Sequence, residues 1–204
     1  MIKIITTHYT ELKEKKNMTY INKVNGEKVY LSLSRNEDID LYNKWLNDPE
    51  INLGFGRSHI VYNEKRQLEY IEEYNNSDNK FLFIIIRKGK TSEYDTPIGI
   101  VLLYDIDYVH GKATMGILLD PTFQSKGHGK EASKLLLEFG FNILNLNNIM
   151  LYAIEFNEKA INLYENIGFK IIGRRRKAYP INNKLYDEVY MDILKTEYNK
   201  NSSD

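Results

Sequence analysis

Cysteine is absent from this chain of 204 residues. That excludes disulfide scaffolds, thiolate catalysis and cysteine-ligated zinc. Charge of one sign is not in excess either, because 28 Lys and Arg stand against 28 Asp and Glu. A neutral chain argues against non-specific nucleic-acid binding, which needs clustered charge to neutralise phosphates. The one basic run, Arg174-Arg175-Arg176-Lys177, is short and reads as a solvated strand end. No apolar run approaches the ~20 residues of a membrane span. The start, Met1-Ile2-Lys3-Ile4-Ile5, has no sustained apolar core and no small-residue cleavage site. Neither nucleic acid nor membrane is expected as a partner, and a cytoplasmic location is the default expectation. Histidines are few: His8, His59, His110 and His128 are scattered without metal-ligand spacing, so no metal site is expected.

What is present suffices for one well-cored domain, or one domain with an extension. No internal repeat is visible. Residues 1–26 are polar and weakly periodic and read as an N-terminal extension, residues 27–198 as the domain, and residues 199–204 as a flexible tail. From Lys28 to Leu33, Val29, Leu31 and Leu33 alternate with Tyr30 and Ser32, which predicts a half-buried strand. Ser34-Arg35-Asn36-Glu37 fits a capping box. The helix it opens carries Ile39, Tyr42 and Leu46 on one stripe, with Leu41 and Trp45 beside it, and Asp48-Pro49 ends it. Asn52-Leu53-Gly54-Phe55-Gly56 reads as a loop, and Glu64 to Tyr74 as a second helix. Phe81 to Ile86 is a buried strand, Ile98 to Tyr108 another, Gly111 a hairpin turn, and Thr114 to Leu119 the returning strand. A long helix follows, with Ala132, Leu135, Leu136, Phe139 and Ile143 on one stripe and Leu137, Phe141 and Leu144 widening it. Ile149 to Ile154 is a strand, Asn157 an N-cap, and Gly168 a left-handed C-cap. Phe169 to Ile172 and Leu185 to Ile193 are two strands joined across Ile181-Asn182-Asn183-Lys184. The expected fold is α/β (α+β), with one mixed, mostly antiparallel sheet of six to seven strands and helices on both faces.

The chemistry begins at Gln124-Ser125-Lys126-Gly127-His128-Gly129, between a strand and a helix. Gly127 and Gly129 let backbone approach a ligand closely. Amides at a helix start, with the helix dipole behind them, favour phosphate oxygens. Lys126 and Lys130 add positive charge, and His128 could donate to phosphate. A tight turn without a ligand fits the same residues. A nucleoside-triphosphate P-loop fails, because Gln124 and Glu131 stand where it needs Gly and Ser or Thr. The dinucleotide fingerprint G-x-G-x-x-A does match, at Gly127, Gly129 and Ala132. Its expected setting is an early β-α-β unit, whereas this loop follows an antiparallel hairpin past the chain's midpoint.

A second constellation runs from Asn157 to Phe169. Ala160, Leu163 and Ile167 face inward, and Tyr164 lies beside them with its hydroxyl at the edge. A purely structural tyrosine fits that position too.

The Gln-x-x-Gly-x-Gly loop and, about 30 residues on, the segment Asn-x-x-Ala-x-x-Leu-Tyr-x-x-x-Gly-Phe resemble the two cofactor motifs of the GNAT superfamily of N-acetyltransferases. With the strand order, the likeness covers Val29 to Leu194. Phe139 to Leu146 and Arg174 to Leu194 resemble most the bacterial branch of spermidine and ribosomal-protein N-terminal acetyltransferases. The resemblance implies acetyl-CoA as the acetyl donor, without a metal. It implies pantetheine on the backbone of Ile117, Leu118 and Leu119, and pyrophosphate on the amides of Gln124, Ser125, Lys126, Gly127, His128, Gly129 and Lys130. It implies Asn157 and Ala160 beside the pantetheine arm, and Tyr164 as the acid that protonates the departing thiolate. A phenol of pKa about 10 suits that role. The acceptor would be a primary amine of a polyamine, amino sugar or other small molecule, or a peptide N-terminus, attacking the thioester directly. Phe55 and Arg57 fall where the family builds its acceptor pocket, and a plain surface loop fits them as well. The family often forms homodimers or larger homo-oligomers.

One position departs from the pattern. Relatives place a glutamate second in an Ala-Glu-x-x-Ile segment; here it is Thr114, in Ala113-Thr114-Met115-Gly116-Ile117. Threonine is no base near neutral pH. An aliphatic amine of pKa about 10 then carries a penalty of roughly 4 kcal/mol at pH 7, an N-terminal amine of pKa about 8 roughly 1.4 kcal/mol. Water chains or Asp105, Asp107 or Glu155 could substitute. A CoA-binding module without catalysis, and a dinucleotide-dependent enzyme, are the competing readings.

Overall fold

The structure is a computed structural model, and it describes residues 20–54 and 60–201. Among them, eight strands form one sheet: β1 Val24–Asn25, β2 Val29–Leu33, β3 Phe81–Arg87, β4 Thr96–Asp107, β5 Lys112–Leu119, β6 Asn148–Ile154, β7 Lys170–Ile181 and β8 Lys184–Leu194. Their order across the sheet is β1-β2-β3-β4-β5-β6-β8-β7. Every neighbouring pair is antiparallel except β5 with β6. The count exceeds the expected six to seven because Val24 and Asn25 pair with Leu31 and Tyr30, inside a stretch that reads as an extension. Tyr20 also joins the folded body there: its hydroxyl donates to Asp38 at 2.7 Å, and the Arg35 guanidinium lies over its ring.

Helices cover both faces. The first face takes α1 Ile39–Leu46, α2 Pro49–Gly54 and α3 Glu64–Asn75. They pack Tyr42, Trp45, Ile51, Ile71 and Tyr74 against Ile84, Ile86, Ile100 and Leu118. The second face takes α4 His128–Glu138 and α5 Glu158–Glu165, with Ala132, Leu135, Leu136 and Tyr164 against Phe83, Ile85, Val101 and Met115. β3 is therefore apolar on both sides, which explains its unbroken hydrophobic run. A last helix, α6 Lys195–Asn201, takes up the start of the expected tail.

Four local expectations are corrected. The capping box is shifted by one residue: the Arg35 amide donates to Asp38 at 2.9 Å, because the buried Ser34 hydroxyl is engaged with Tyr42 at 2.5 Å. Asn52 to Gly54 is helix rather than loop. Asp48 accepts from the amides of Glu50 and Ile51 and so caps α2, and Pro49 opens it with a φ already suited to a helix. Ile143 is 63 % exposed instead of extending the α4 stripe, because Phe139–Ile143 is a π turn whose extra residue rotates later positions off the core. The basic run Arg174 to Lys177 is not a strand end; it lies exposed within β7, which runs far past Ile172.

Two turns follow from their residues. Asn182 and Asn183 have φ of 49° and 62°, the left-handed pair that a tight hairpin between β7 and β8 demands. Gly168, at φ 115°, ends α5 with its amide on the Glu165 carbonyl and the Phe169 amide on the Tyr164 carbonyl, a Schellman closure.

Candidate active site

The site is a parting of strands. β5 and β6 pair at Lys112–Asn148, Ala113–Ile149 and Thr114–Met150, and the ladder stops there. Beyond Thr114, the β6-facing edge of Ile117, Leu118 and Leu119 has no strand partner among the described residues. Backbone amides and carbonyls left this way must find other partners, and an extended amide-bearing chain is chemically suited to supply them.

The glycine loop stands at the mouth of this cleft. Pro121 to Phe123 form a short turn, and Gln124 turns its side-chain amide back onto the Leu119 carbonyl at 3.1 Å. Ser125 has φ 58° and Gly127 φ 85° with ψ −10°, left-handed geometry that a side chain resists. α4 then begins without a side-chain cap, so its first-turn amides have no intrahelical acceptor and no capping group. Glu131, the acid of that turn, is drawn away: it accepts from the Lys28 amide at 2.8 Å, in the turn joining β1 and β2. His128 is buried, with Nδ1 donating to the Phe123 carbonyl at 3.2 Å. Lys126 curls back onto the Thr122 carbonyl at 2.6 Å. A methyl placed on Gly127 would lie 3.7 Å from the Lys28 ammonium. Lys28 thus joins the loop from a hundred residues away, which no spacing rule could reveal. A pyrophosphate fits this set: uncapped amides, lysine charge nearby, and no carboxylate within the loop.

Asp120 anchors the approach. It is buried and accepts from Lys44 at 2.7 Å, Trp45 at 3.1 Å, and the Thr122 amide and hydroxyl at 3.0 and 2.7 Å. Burial opposes its charge, but the hydrogen bonds from Lys44, Thr122 and Trp45 outweigh that and hold its carboxyl below the usual carboxylate range. It ties α1 to the strand end from which the loop springs.

Asn157 and Tyr164 come from α5. The Asn157 side-chain oxygen accepts from the Ala160 amide at 3.2 Å, as an N-cap does. A methyl on Gly54 would stand 3.4 Å from the Asn157 side-chain nitrogen, so the end of α2 closes on the cleft at this point. Tyr164 is 7 % exposed, beside the Phe169 ring. Burial alone pushes its hydroxyl up to about 12. Ala160 is partly buried against the same core.

Thr114 is buried at the last paired row, opposite Tyr104 on β4 and Met150 on β6. Asp105 and Asp107 lie toward the β4–β5 turn, as Thr114 itself does; Asp105 follows Tyr104, the cross-strand partner of Thr114, and is exposed. Asp107 there accepts from the Val109 and His110 amides and the His110 ring. Glu155, just past the end of β6, accepts from the Asp187 amide at 3.0 Å and faces Arg174 at 3.7 Å. Phe55, Arg57, His8 and His59 lie outside the described residues. Among the described residues, no group of three or more His, Asp or Glu side chains is placed to hold a metal ion, and no helix is long and apolar enough to cross a membrane.

Comparison with known proteins fits this geometry. The family profile described as acetyltransferase (GNAT) domain matches residues 28–170. The spermidine N(1)-acetyltransferase of Escherichia coli K12 is 35 % identical over 100 residues, 49 % of this chain and 54 % of that protein; the match spans about half the length of that relative. The spermidine N(1)-acetyltransferase of Vibrio cholerae is 29 % identical over 167 residues, covering 82 % of this chain and 86 % of that one. The crystal structure of the Vibrio cholerae spermidine N-acetyltransferase in complex with CoA and spermine superposes with a TM-score of 0.77 at 25 % identity, over 85 % of this chain and 99 % of the other. The parted strands, the uncapped glycine-loop helix and the profile spanning both belong together, and the chain is a member of the GNAT acetyltransferase family.

Proposed function

We propose that this protein transfers an acetyl group from acetyl-CoA to a primary amine of a small polycationic acceptor of the polyamine type. The observation that carries the reading is the parting of β5 from β6 above Thr114, with the uncapped N-terminus of α4 at its mouth. The Vibrio cholerae relative solved with CoA and spermine supports both halves of it. Pantetheine lies along Ile117, Leu118 and Leu119, the pyrophosphate on the amides from Gln124 to Lys130, and the Asn157 side-chain nitrogen beside the arm. Acetyl-CoA supplies an activated acyl group, so the amine nitrogen bonds the carbonyl carbon directly as the carbon–sulfur bond breaks. The amine's proton ends on sulfur.

Tyr164 donates a hydrogen bond to that sulfur. Burial raises its hydroxyl to about 12, so it is protonated at neutral pH and serves as the donor to the developing thiolate. Thr114 supplies no base, so the acceptor reacts as the fraction that is already neutral.

The test is thiol release from acetyl-CoA with spermidine, spermine, monoamines, amino sugars and peptides. Turnover greatest with polyamines is expected. Thr114 favours a second reading, a CoA-binding module without catalysis. Tight CoA binding with no thiol release from any acceptor would establish that reading instead.

A further inference from the structure

On the face of the sheet shared with α1–α3, the half built from β6, β8 and β7 carries a cluster that the steps above do not use. Strand alternation assigns the face. Val189 and Met191 point into the core with α4 and α5, so Glu188 and Tyr190 point the other way. Thr114 shares that direction, through the register row Thr114–Met150–Asp192. Glu188 stands opposite Ile154, the last residue of β6, at the level where β5 and β6 have already parted. Asn157 follows three residues later, with Gly54 against it. Glu188 is thus on the α1–α3 side of the cleft, the side that Gly54 and Asn157 border.

Its surroundings are unusual for a carboxylate. Glu188 is 5 % exposed. The Tyr179 hydroxyl donates to it at 3.1 Å from β7, and the Tyr190 hydroxyl donates to the other oxygen. Among the described residues no Lys, Arg or His forms an ion pair with it. Arg175, its cross-strand neighbour, is engaged at the Tyr190 hydroxyl. Asp187, on the opposite face, is held by the Lys177 amide. The Arg175 guanidinium thus reaches Glu188 only through the Tyr190 hydroxyl; a carboxylate buried on neutral donors with no direct ion pair among the described residues is costly to the fold, and a ligand cation relieves that cost. The Tyr152 and Tyr190 rings, 6.0 Å apart, offer π faces that also attract a cation.

We propose that Glu188, held by Tyr179 and Tyr190, seats a protonated nitrogen of the acceptor, and so selects acceptors that carry a second positive charge beyond the amine that reacts. The inference rests on the acetyl-transfer reading for the presence of an acceptor at this face.

Calorimetric titration of spermine, and of butylamine as a single-charge control, into the full chain saturated with CoA tests it without requiring turnover. Wild type is expected to prefer spermine. Glu188→Gln is expected to weaken spermine by about 10- to 100-fold, to change butylamine by less than about threefold, and to leave CoA affinity unaltered. Spermine affinity in Glu188→Gln equal to wild type, or no wild-type preference for spermine over butylamine, overturns the assignment. Should Glu188→Gln fail to fold, Tyr179→Phe decides. A loss of about 3- to 10-fold for spermine supports the seat, and an unchanged affinity overturns it. Thiol release by wild type is read separately. If it is absent with every amine the transferase reading fails, whereas turnover together with unaltered spermine binding in Glu188→Gln removes the seat alone.

Discussion

In the proposed reaction Tyr164 serves the leaving group, and Thr114 leaves the nucleophile without a base. Tyr164→Phe removes the hydroxyl while keeping the ring against Phe169. Turnover is expected to fall about 100-fold while acetyl-CoA affinity stays within about twofold, because the cofactor is gripped elsewhere; stopped thiol-release assays beside calorimetry check this. Unchanged turnover would remove Tyr164 from the reaction. The position of Tyr164 was legible from its spacing after Asn157 and Ala160. Its weakened acidity was not, because that comes from burial by the core around α5. Glu188 was invisible in the same way. Nothing in Asp187-Glu188-Val189 distinguishes a ligand carboxylate from a solvated one. It acquires its partners because the tight Asn182-Asn183 turn, and the irregularity between Arg175 and Tyr179, set Tyr179 on its face.

At the scale of elements, the start of α4 and its anchor carry the loop. Gly127 has φ 85°, and Gly127→Ala is expected to cost about 1 kcal/mol or more of stability from backbone strain, with weaker acetyl-CoA binding as the amides shift; thermal melts with and without cofactor separate the two. Asp120 joins α1 to the strand end before the loop. Its folded pKa is depressed, so the stability it contributes is complete above its unfolded pKa of about 3.9 and is lost as pH falls below that value toward the folded one. Asp120→Asn should therefore lower the melting temperature at pH 7, by about 2 kcal/mol of stability. The difference between wild type and variant should shrink as the pH is taken down through about 4 toward 2. Equal melting at pH 7 would deny the anchor. Helix existence was readable from the stripes of α1, α3, α4 and α5. Their ends were less so: Ser34 was diverted by Tyr42, Asp48 both closed α1 and capped α2, and the π turn after α4 carried Ile143 into solvent.

For the whole molecule, cofactor binding and stability are linked. Acetyl-CoA at about 100 times its dissociation constant is expected to stabilise the folded state by about 2.7 kcal/mol, a rise of roughly 5–10 °C for a chain of this size, while NADH at the same concentration leaves the melt unmoved. A larger shift with NADH would restore the dinucleotide reading. The residues by themselves determined the class of fold, most of the strands, the glycine loop and the tyrosine helix, because hydrophobic period reports which face is buried and the two motifs are local in the chain. Tertiary structure alone decided where β5 leaves β6, how Lys28 and Glu131 meet at the turn before β2, and which carboxylate the tyrosines hold. Each of these joins segments from different elements, and packing across the sheet, rather than any local preference of the chain, brings them together.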